Sequence, residues 1–330
     1  MVRPKKSRES IVLEVVSGWN QRWFEFVTRG SLTTVAAVFA PVGLLLGWGV
    51  VRFSERLIAR ERGHAQRLPT TWRLLAIAGA TGLAALLPIA VVGWQCQSLV
   101  EGGSIDWVQW RLPYHLALLL LLLAATLVDL DCYMIPDEIT LGGAALGFLG
   151  AGLISNLQLI PLWVDWNAWQ IDVGPAIPDW IRQRHHLHGF AWSAVGGLVG
   201  AALTLCARWV SQAVLRVESL GFGDVTLMFM IGCFLGWQPV VCVFLLAPLC
   251  GVVVALLLQF SSGRRALPYG PCLAAAAVLV LFTWRALWTR TRDLFGHPPT
   301  LAGLAVLVIG GMALLLGLLR LYRSIPVARR

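Results

Sequence analysis

Two aspartates stand where long apolar segments meet polar ones, and they are the residues of this chain best placed for chemistry. Asp129 follows the apolar run 113–128, and Asp224 precedes the apolar run 225–237. Placing a carboxylate in a membrane span costs free energy, so a carboxylate found there is a candidate functional residue. When two carboxylates share one proton, the ionised partner can draw a proton from water while the protonated partner polarises a scissile carbonyl. Asp129 and Asp224 have the ingredients of such a hydrolytic pair.

The residues that follow Asp129 predict the end of one helix and the start of another. Pro136 disfavours helical geometry in the residue before it, so we expect the first helix to end near Ile135. Asp137 then stands where it can cap the next helix. Asp131 lies roughly on the opposite helix face from Asp129, which favours a solvated or substrate-facing role. Taken alone, Asp129 could equally mark the point where its helix leaves the membrane.

The residues around Asp224 predict a sharp turn into a helix. Gly221 and Gly223 stand before it in a Gly-Phe-Gly-Asp sequence, and glycine lets the backbone turn tightly and approach another segment closely. Asp224 then falls in the first turn of a helix, where a plain capping role is the alternative. A third stretch predicts a rigid turn before the apolar run 267–283, and it consists of Pro268, Tyr269, Gly270 and Pro271.

The composition predicts the elements that must position these residues. The chain of 330 residues is 58% hydrophobic and 13% charged, whereas a soluble domain averages about 25% charged residues. A membrane-spanning helix needs about 20 mostly apolar residues. We therefore predict an all-α, polytopic membrane protein with eight or nine transmembrane helices. The candidate spans are 33–51, 73–93, 113–128, 139–155, 189–207, 225–237, 240–259, 267–283 and 300–319.

The distribution of charge predicts which side of the membrane each loop occupies. The net charge is +9, but Lys and Arg lie in short loops beside the spans, which argues against nucleic acid as a partner and for a role in topology. The arginine-rich loop 52–72 is placed in the cytoplasm. Alternation then puts all three motif stretches on that face and the Trp-rich loop 156–188 outside. An outer aromatic belt is expected to include Trp94, Trp107, Trp110, Trp284 and Trp288. The basic N-terminal segment 1–31 conflicts with this scheme and is compatible with an amphipathic interfacial helix.

The order and spacing of the three stretches resemble the type IV prepilin peptidase, or leader peptidase, family of GxGD-type membrane aspartic peptidases. In that family one motif has an aspartate seven residues before the proline of an Ile-Pro-Asp sequence, and Asp129 holds this place relative to Pro136. The second catalytic aspartate is that of the GxGD sequence, here Asp224. A Pro-Phe-Gly-Pro turn follows later, here Pro268 to Pro271. The resemblance covers about residues 110–285.

The resemblance implies an endopeptidase that cleaves the basic leader of type IV prepilin or pseudopilin-like membrane proteins. Cleavage would occur at the cytoplasmic face of the cell (inner) membrane, with Asp129 and Asp224 as catalytic residues and with no metal or other cofactor. The lipid bilayer and the prepilin-like substrates are the expected partners. The residues expected to support the site or bind substrate are Gly221, Gly223, Asp131, Pro136, Asp137, Pro268, Gly270 and Pro271.

Three departures from the family pattern shape the expectation. The loop 52–72 is short and has no cysteine, whereas members that also N-methylate the new terminus carry paired CxxC motifs there, so we expect no methyltransferase activity. Thr226 stands where the family usually has a lysine, which removes a positive charge near the site. The outer loop 156–188 is longer than usual. The acidic residues Asp131, Asp137 and Glu138 could attract a basic leader, or they could equally serve only to solvate a loop.

The chain is therefore expected to divide into four segments. These are a basic segment 1–31, N-terminal spans 32–109, a prepilin-peptidase-like catalytic domain 110–285, and a C-terminal span with a basic tail 286–330. A transporter or channel could also use membrane carboxylates, and an inactive family member could keep the fold.

Helix polarity suggests that Asp224, near a helix N-terminus, is the ionised partner, and that Asp129, near a helix C-terminus, carries the shared proton.

Overall fold

The chain folds as a bundle of helices, and a computed structural model gives its architecture. It describes residues 25–26, 32–64, 67–97, 105–154, 157–162, 165–170, 174–176, 183–216, 220–262 and 268–324. The predicted amphipathic character of segment 1–31 lies almost wholly outside the described residues, and so does much of the outer loop 156–188.

The described residues form nine α-helices and one short β-hairpin. The helices are α1 (Leu32–Arg62), α2 (Thr70–Pro88), α3 (Ile105–Cys132), α4 (Asp137–Leu153), α5 (His185–Leu215), α6 (Phe222–Leu235), α7 (Trp237–Ser262), α8 (Gly270–Gly296) and α9 (Pro298–Ser324). A π-helical turn, Ile89–Gly93, extends α2. Strands β1 (Asp165–Gln170) and β2 (Gly174–Ala176) pair antiparallel between α4 and α5.

The apolar helices confirm the predicted class, an all-α polytopic membrane protein. Within the described residues, six helices are long and apolar enough to cross a membrane, and two shorter ones are apolar as well. Each of the nine predicted spans overlaps one of the nine helices. The hairpin between α4 and α5 was not predicted, although residues 165–173 alternate between polar and apolar side chains with one break between Ala168 and Trp169. The predicted segment boundaries at 109 and 285 fall inside α3 and α8.

Helix α6 lies at the centre of the bundle and carries Asp224 on its first turn. It is apolar on every side, as expected of a helix that is buried all round, and it packs against α4, α5, α7 and α8. Its contact with α5 depends on glycine, because a Cβ on Gly196 or on Gly232 would overlap backbone atoms of the other helix. Small residues allow membrane helices to approach this closely. The position of Asp224 is therefore fixed by packing along the whole of α6.

The predicted outer aromatic belt is wrong for two of its residues. Trp284 and Trp288 on α8 are buried inside the protein, with their ring centroids 5.7 Å apart. Trp94 and Trp110 are exposed, as a belt requires. Sequence position alone could not separate the two groups, since α8 turns Trp284 and Trp288 towards the core rather than towards lipid.

Candidate active site

Asp129 lies in the last turn of α3, three residues before the helix ends at Cys132. The helix ends earlier than the expected Ile135 because Tyr133 adopts a left-handed conformation with φ of 56°. The Tyr133 N–H still bonds to the carbonyl oxygen of Asp129 at 2.9 Å, which closes the last turn. The chain then runs through Ile135 and Pro136 into α4, and both of these residues are buried. Asp129 is thus held at the rim of a tight turn between two helices.

The start of α4 differs from the expectation for Asp137. Pro136, not Asp137, occupies the N-cap position, and no side-chain hydrogen bond caps this helix. Asp137 is the first residue of α4 and is exposed. Its charge there still favours the helix, because the N-terminal end of a helix carries a partial positive charge.

Asp224 occupies the first turn of α6, as the glycine pattern predicted. The Gly221 N–H donates to Oδ2 of Asp224 at 3.2 Å, so the carboxylate does cap the helix as the alternative role proposed. Gly223 faces the α3–α4 turn, since a Cβ at this position would lie 3.3 Å from Cβ of Ile135. This close approach brings the start of α6 against the turn that follows Asp129.

Gly270 completes the arrangement from a third helix. Its N–H, at the first residue of α8, donates to Oδ2 of Asp129 at 3.2 Å. A Cβ on Gly270 would overlap that same oxygen, so a larger residue here would displace the Asp129 carboxylate. Pro271 follows within the first turn of α8, where proline is well tolerated because that N–H has no helical partner. Pro268 accepts a weak bond from the Cys272 thiol, which ties the turn to the helix that it begins.

The three stretches therefore meet at one end of the bundle, as their expected placement on one membrane face requires. Asp129 is 5% exposed and Asp224 is 7% exposed, and the two carboxylates interact electrostatically. Tyr269 stands beside them in place of the phenylalanine of the family turn. Burial, with smaller contributions from Cys272 and Asp224, raises the pKa of the Tyr269 phenol well above its ordinary value. Tyr269 thus stays a neutral hydrogen-bond donor near the pair.

Two arginines border the site, and neither was singled out from the sequence. Arg208 on α5 donates to the Leu220 carbonyl at 2.6 Å, directly before the Gly-Phe-Gly-Asp turn, and interacts electrostatically with Asp224. Arg62 at the end of α1 pairs with the Asp131 carboxylate at 2.9 Å and also donates to its carbonyl oxygen at 2.8 Å. Both arginines lie far from their partners in sequence or on another helix, so no local pattern could have revealed them.

These arginines change the interpretation of the neighbouring acidic and polar residues. Asp131 is paired with Arg62, and Glu138 forms an ion pair with Arg60. Thr226 donates to the Gly223 carbonyl at 3.1 Å and so belongs to the turn itself. Arg208 supplies a positive charge close to Asp224 although Thr226 carries none.

Sequence comparisons add an independent observation. Residues 180–256 match the profile of the type IV leader peptidase family. The matched region is thus similar to that family. It contains Asp224 on α6, whereas Asp129 on α3 lies before it.

Similar proteins extend the comparison beyond these residues. The chain is 30% identical over 161 residues to a type 4 prepilin-like proteins leader peptide-processing enzyme of Escherichia coli O78:H11, covering 49% of this chain and 48% of the relative. It is 27% identical over 184 residues to a prepilin leader peptidase/N-methyltransferase of Aeromonas salmonicida, covering 55% and 52%. An Aeromonas hydrophila protein of the same name is 28% identical over 211 residues, covering 63% and 58%.

The chain spans about half the length of the curated relatives that it matches. No solved structure matches it significantly. The similarity to leader peptidases therefore rests on sequence motifs, on the family profile and on these relatives.

The histidines near the start of α5 lie at the other end of the bundle. His186 contacts the Gly152 carbonyl through Nδ1 at 2.8 Å, and Nε2 of His188 accepts the Leu162 N–H at 3.0 Å. In the part of the chain that the structure describes, no three His, Cys, Asp or Glu residues form a group that could hold a metal ion. These contacts give His186 a structural partner in the last turn of α4 and His188 one in the loop between α4 and α5.

Proposed function

We propose that this chain is a membrane aspartic endopeptidase that removes the basic leader of type IV prepilin-like proteins at the cytoplasmic face of the cell membrane. The observation that carries the proposal is the meeting of two buried carboxylates, Asp129 and Asp224, from separate helices at one end of the bundle. Each accepts one backbone N–H, from Gly270 and Gly221 respectively. Hydrogen bonds of this kind fix the orientation of a carboxylate before substrate binds.

The surroundings of the two aspartates favour a division of labour. Burial opposes ionisation of both carboxylates, but Asp224 lies at the N-terminal end of α6 and near the Arg208 guanidinium, and these two features favour its ionised form. Asp129 lies at the C-terminal end of α3, where the helix dipole opposes negative charge. Asp224 is therefore proposed as the general base and Asp129 as the protonated partner, although the pair titrates as a unit.

The proposed reaction follows from this protonation state. Asp224 takes a proton from water as the water oxygen attacks the scissile carbonyl carbon, and Asp129 gives its proton to the carbonyl oxygen. The tetrahedral intermediate then collapses, the proton on Asp224 passes to the leaving nitrogen, the carbon–nitrogen bond breaks, and Asp129 recovers a proton from the intermediate. Both aspartates thereby return to their starting protonation states, and no metal takes part.

Leader removal tests the proposal directly. A prepilin-like substrate is co-expressed with wild type, Asp129→Ala or Asp224→Ala, and the substrate is resolved by mass. Wild type is expected to remove the leader and both variants to leave it intact. Asp293→Ala, on the exposed acid of α8, is the matched control and should cleave normally. Cleavage that survived both substitutions would contradict the proposed aspartate pair, whereas a wild type that left the leader intact would favour a transporter or an inactive relative.

The proposal covers proteolysis alone. The loop 52–72 has no cysteine, although several relatives are named as prepilin leader peptidase/N-methyltransferases. Mass spectrometry of the newly exposed N-terminus is the test, with S-adenosylmethionine supplied. An unmodified amine is expected, and a methylated amine would contradict this part of the proposal.

A further inference from the structure

A cavity of about 530 Å³ opens beside the second half of α1 and the turn that follows it. Its lining includes Trp48, Arg52, Phe53, Glu55, Arg56 and Arg67. It lies at the same end of the bundle as the two aspartates, because Arg62, farther along the same helix, pairs with Asp131 beyond Asp129. The cavity is thus separate from the carboxylate pair but shares its membrane face.

Glu55, the acidic residue in this lining, already has two partners. Oε1 of Glu55 accepts the Leu68 N–H at 3.3 Å and forms an ion pair with Nε of Arg73 at 3.4 Å. These contacts fasten the start of α2 to α1 and hold Arg67 at the mouth of the cavity. Because Arg73 offsets the charge of Glu55, the charge of the other lining residues is left uncompensated.

Three guanidinium groups face this space. Trp48, Arg52 and Arg56 follow one another at four-residue intervals and therefore lie along one face of α1. Arg52 stacks over the Trp48 ring, with its guanidinium carbon 5.2 Å from the ring centroid. Within the described residues, Arg56 and Arg67 form no ion pair with an acid. A concave site with several arginines is suited to phosphate, which guanidinium groups bind through paired hydrogen bonds.

The position of the cavity indicates where such a phosphate comes from. Arg52 directly follows the apolar run 33–51, so the guanidinium groups lie at the depth of lipid headgroups. Trp48 and Phe53 are exposed beside them and offer apolar surface for an acyl chain. The positive charge of the cavity also argues against the basic leader as its occupant.

We propose that the cavity formed by Arg52, Arg56 and Arg67 binds the phosphate group of an anionic phospholipid. A lipid held there would contact α1 one to two turns before Arg60 and Arg62, the residues that tie α1 to the α3–α4 turn. Binding would therefore steady the end of α1 against the segment that carries Asp129.

Lipid retention by the full-length protein tests the proposal without depending on proteolysis. The protein is extracted from vesicles of phosphatidylcholine with a minor fraction of phosphatidylglycerol, and bound phosphatidylglycerol is measured by native mass spectrometry. Arg56→Gln with Arg67→Gln is expected to weaken retention by roughly tenfold or more, since each arginine near anionic lipid contributes appreciable attraction. The control is Arg290→Gln, an exposed arginine of α8, which should retain lipid as wild type does.

A second arm separates the possible sources of phosphate. Inorganic phosphate is added to protein in phosphatidylcholine alone, and thermal unfolding is followed. Stabilisation by phosphate that disappears with the paired substitution supports the site and assigns it to free phosphate as well as to lipid. The single variants Arg56→Lys and Arg67→Lys keep the charge and should keep most of the lipid if the double variant fails to fold. Equal retention by the double variant and wild type, or equal loss in Arg290→Gln, would overturn the proposal.

Discussion

The region around the two aspartates and the N-terminal arm of α1 and α2 are held together in different ways. Near the aspartates, Gly223 packs closely against Ile135 and Gly270 against the Asp129 carboxylate, and farther along α6 Gly232 packs against the backbone of Gly196. The arm reaches the same turn through ion pairs of Arg60 and Arg62. Backbone packing tolerates little displacement, whereas partly exposed ion pairs contribute modestly and can be rearranged. The aspartates are thus positioned by close helix packing, whereas the arm contacts the neighbouring residues Asp131 and Glu138 through ion pairs.

The largest effect is expected from filling the space beside Asp129. In Gly270→Ala the added methyl overlaps Oδ2 of Asp129, so the carboxylate must move and its bond from the Gly270 N–H is lost. Leader cleavage is expected to fall by roughly a hundredfold, because small displacements of catalytic groups are costly. A cleavage assay on purified protein measures this. Gly303→Ala on α9 meets open space and should be as active as wild type. Equal activity of the two variants would show that Gly270 does not position Asp129.

The next effect concerns stability at the α5–α6 contact. In Gly232→Ala the new methyl meets backbone atoms of Gly196, which cannot rotate away as a side chain can. Overpacking of this kind costs about 1–3 kcal/mol, and thermal unfolding in detergent should show the loss. Gly311→Ala, which adds its methyl in open space, is the control. An unchanged unfolding temperature for Gly232→Ala would mean that α5 and α6 are less tightly packed than described.

A smaller effect is expected from removing the charge beside Asp224. Arg208→Gln takes away both the bond to the Leu220 carbonyl and the electrostatic interaction with Asp224. We expect kcat to fall by roughly tenfold with little change in KM, since the loss concerns the proposed base rather than substrate binding. Arg208→Lys restores the charge and should recover part of the rate. If the lysine variant were no better than the glutamine variant, the role of Arg208 would be structural.

The smallest effects on cleavage are expected from substitutions in the two ion pairs of the arm, and the two pairs should differ. The side chains of Arg62 and Asp131 are 36% and 18% exposed, whereas those of Arg60 and Glu138 are 71% and 44% exposed. Arg62→Gln should therefore lower cleavage a few-fold, and Arg60→Gln should change it little, as is typical of exposed pairs. Cleavage rates at low and high salt measure both. A larger loss in Arg60→Gln would reverse the ranking of the two contacts.

Much of this arrangement could be predicted from sequence, and the exceptions have physical causes. The lengths of the apolar runs predicted the spans. The glycines before Asp224 predicted its position on the first turn of α6. The early end of α3 depends on the left-handed Tyr133, which no sequence rule required. The Arg62–Asp131 pair joins residues that are far apart in the chain. Such contacts follow from how helices pack, and a single sequence does not encode them locally.

The central claim is that Asp129 and Asp224 act as one unit, and comparing their single and double substitutions tests it most directly. Asp129→Asn, Asp224→Asn and the double variant are purified, reconstituted in vesicles and assayed for leader cleavage, with Asp293→Asn as the control. Groups that act as a unit give non-additive losses. Each single variant is therefore expected to lose nearly as much activity as the double variant, with the control unaffected. Additive losses, or substantial cleavage by either single variant, would contradict the account.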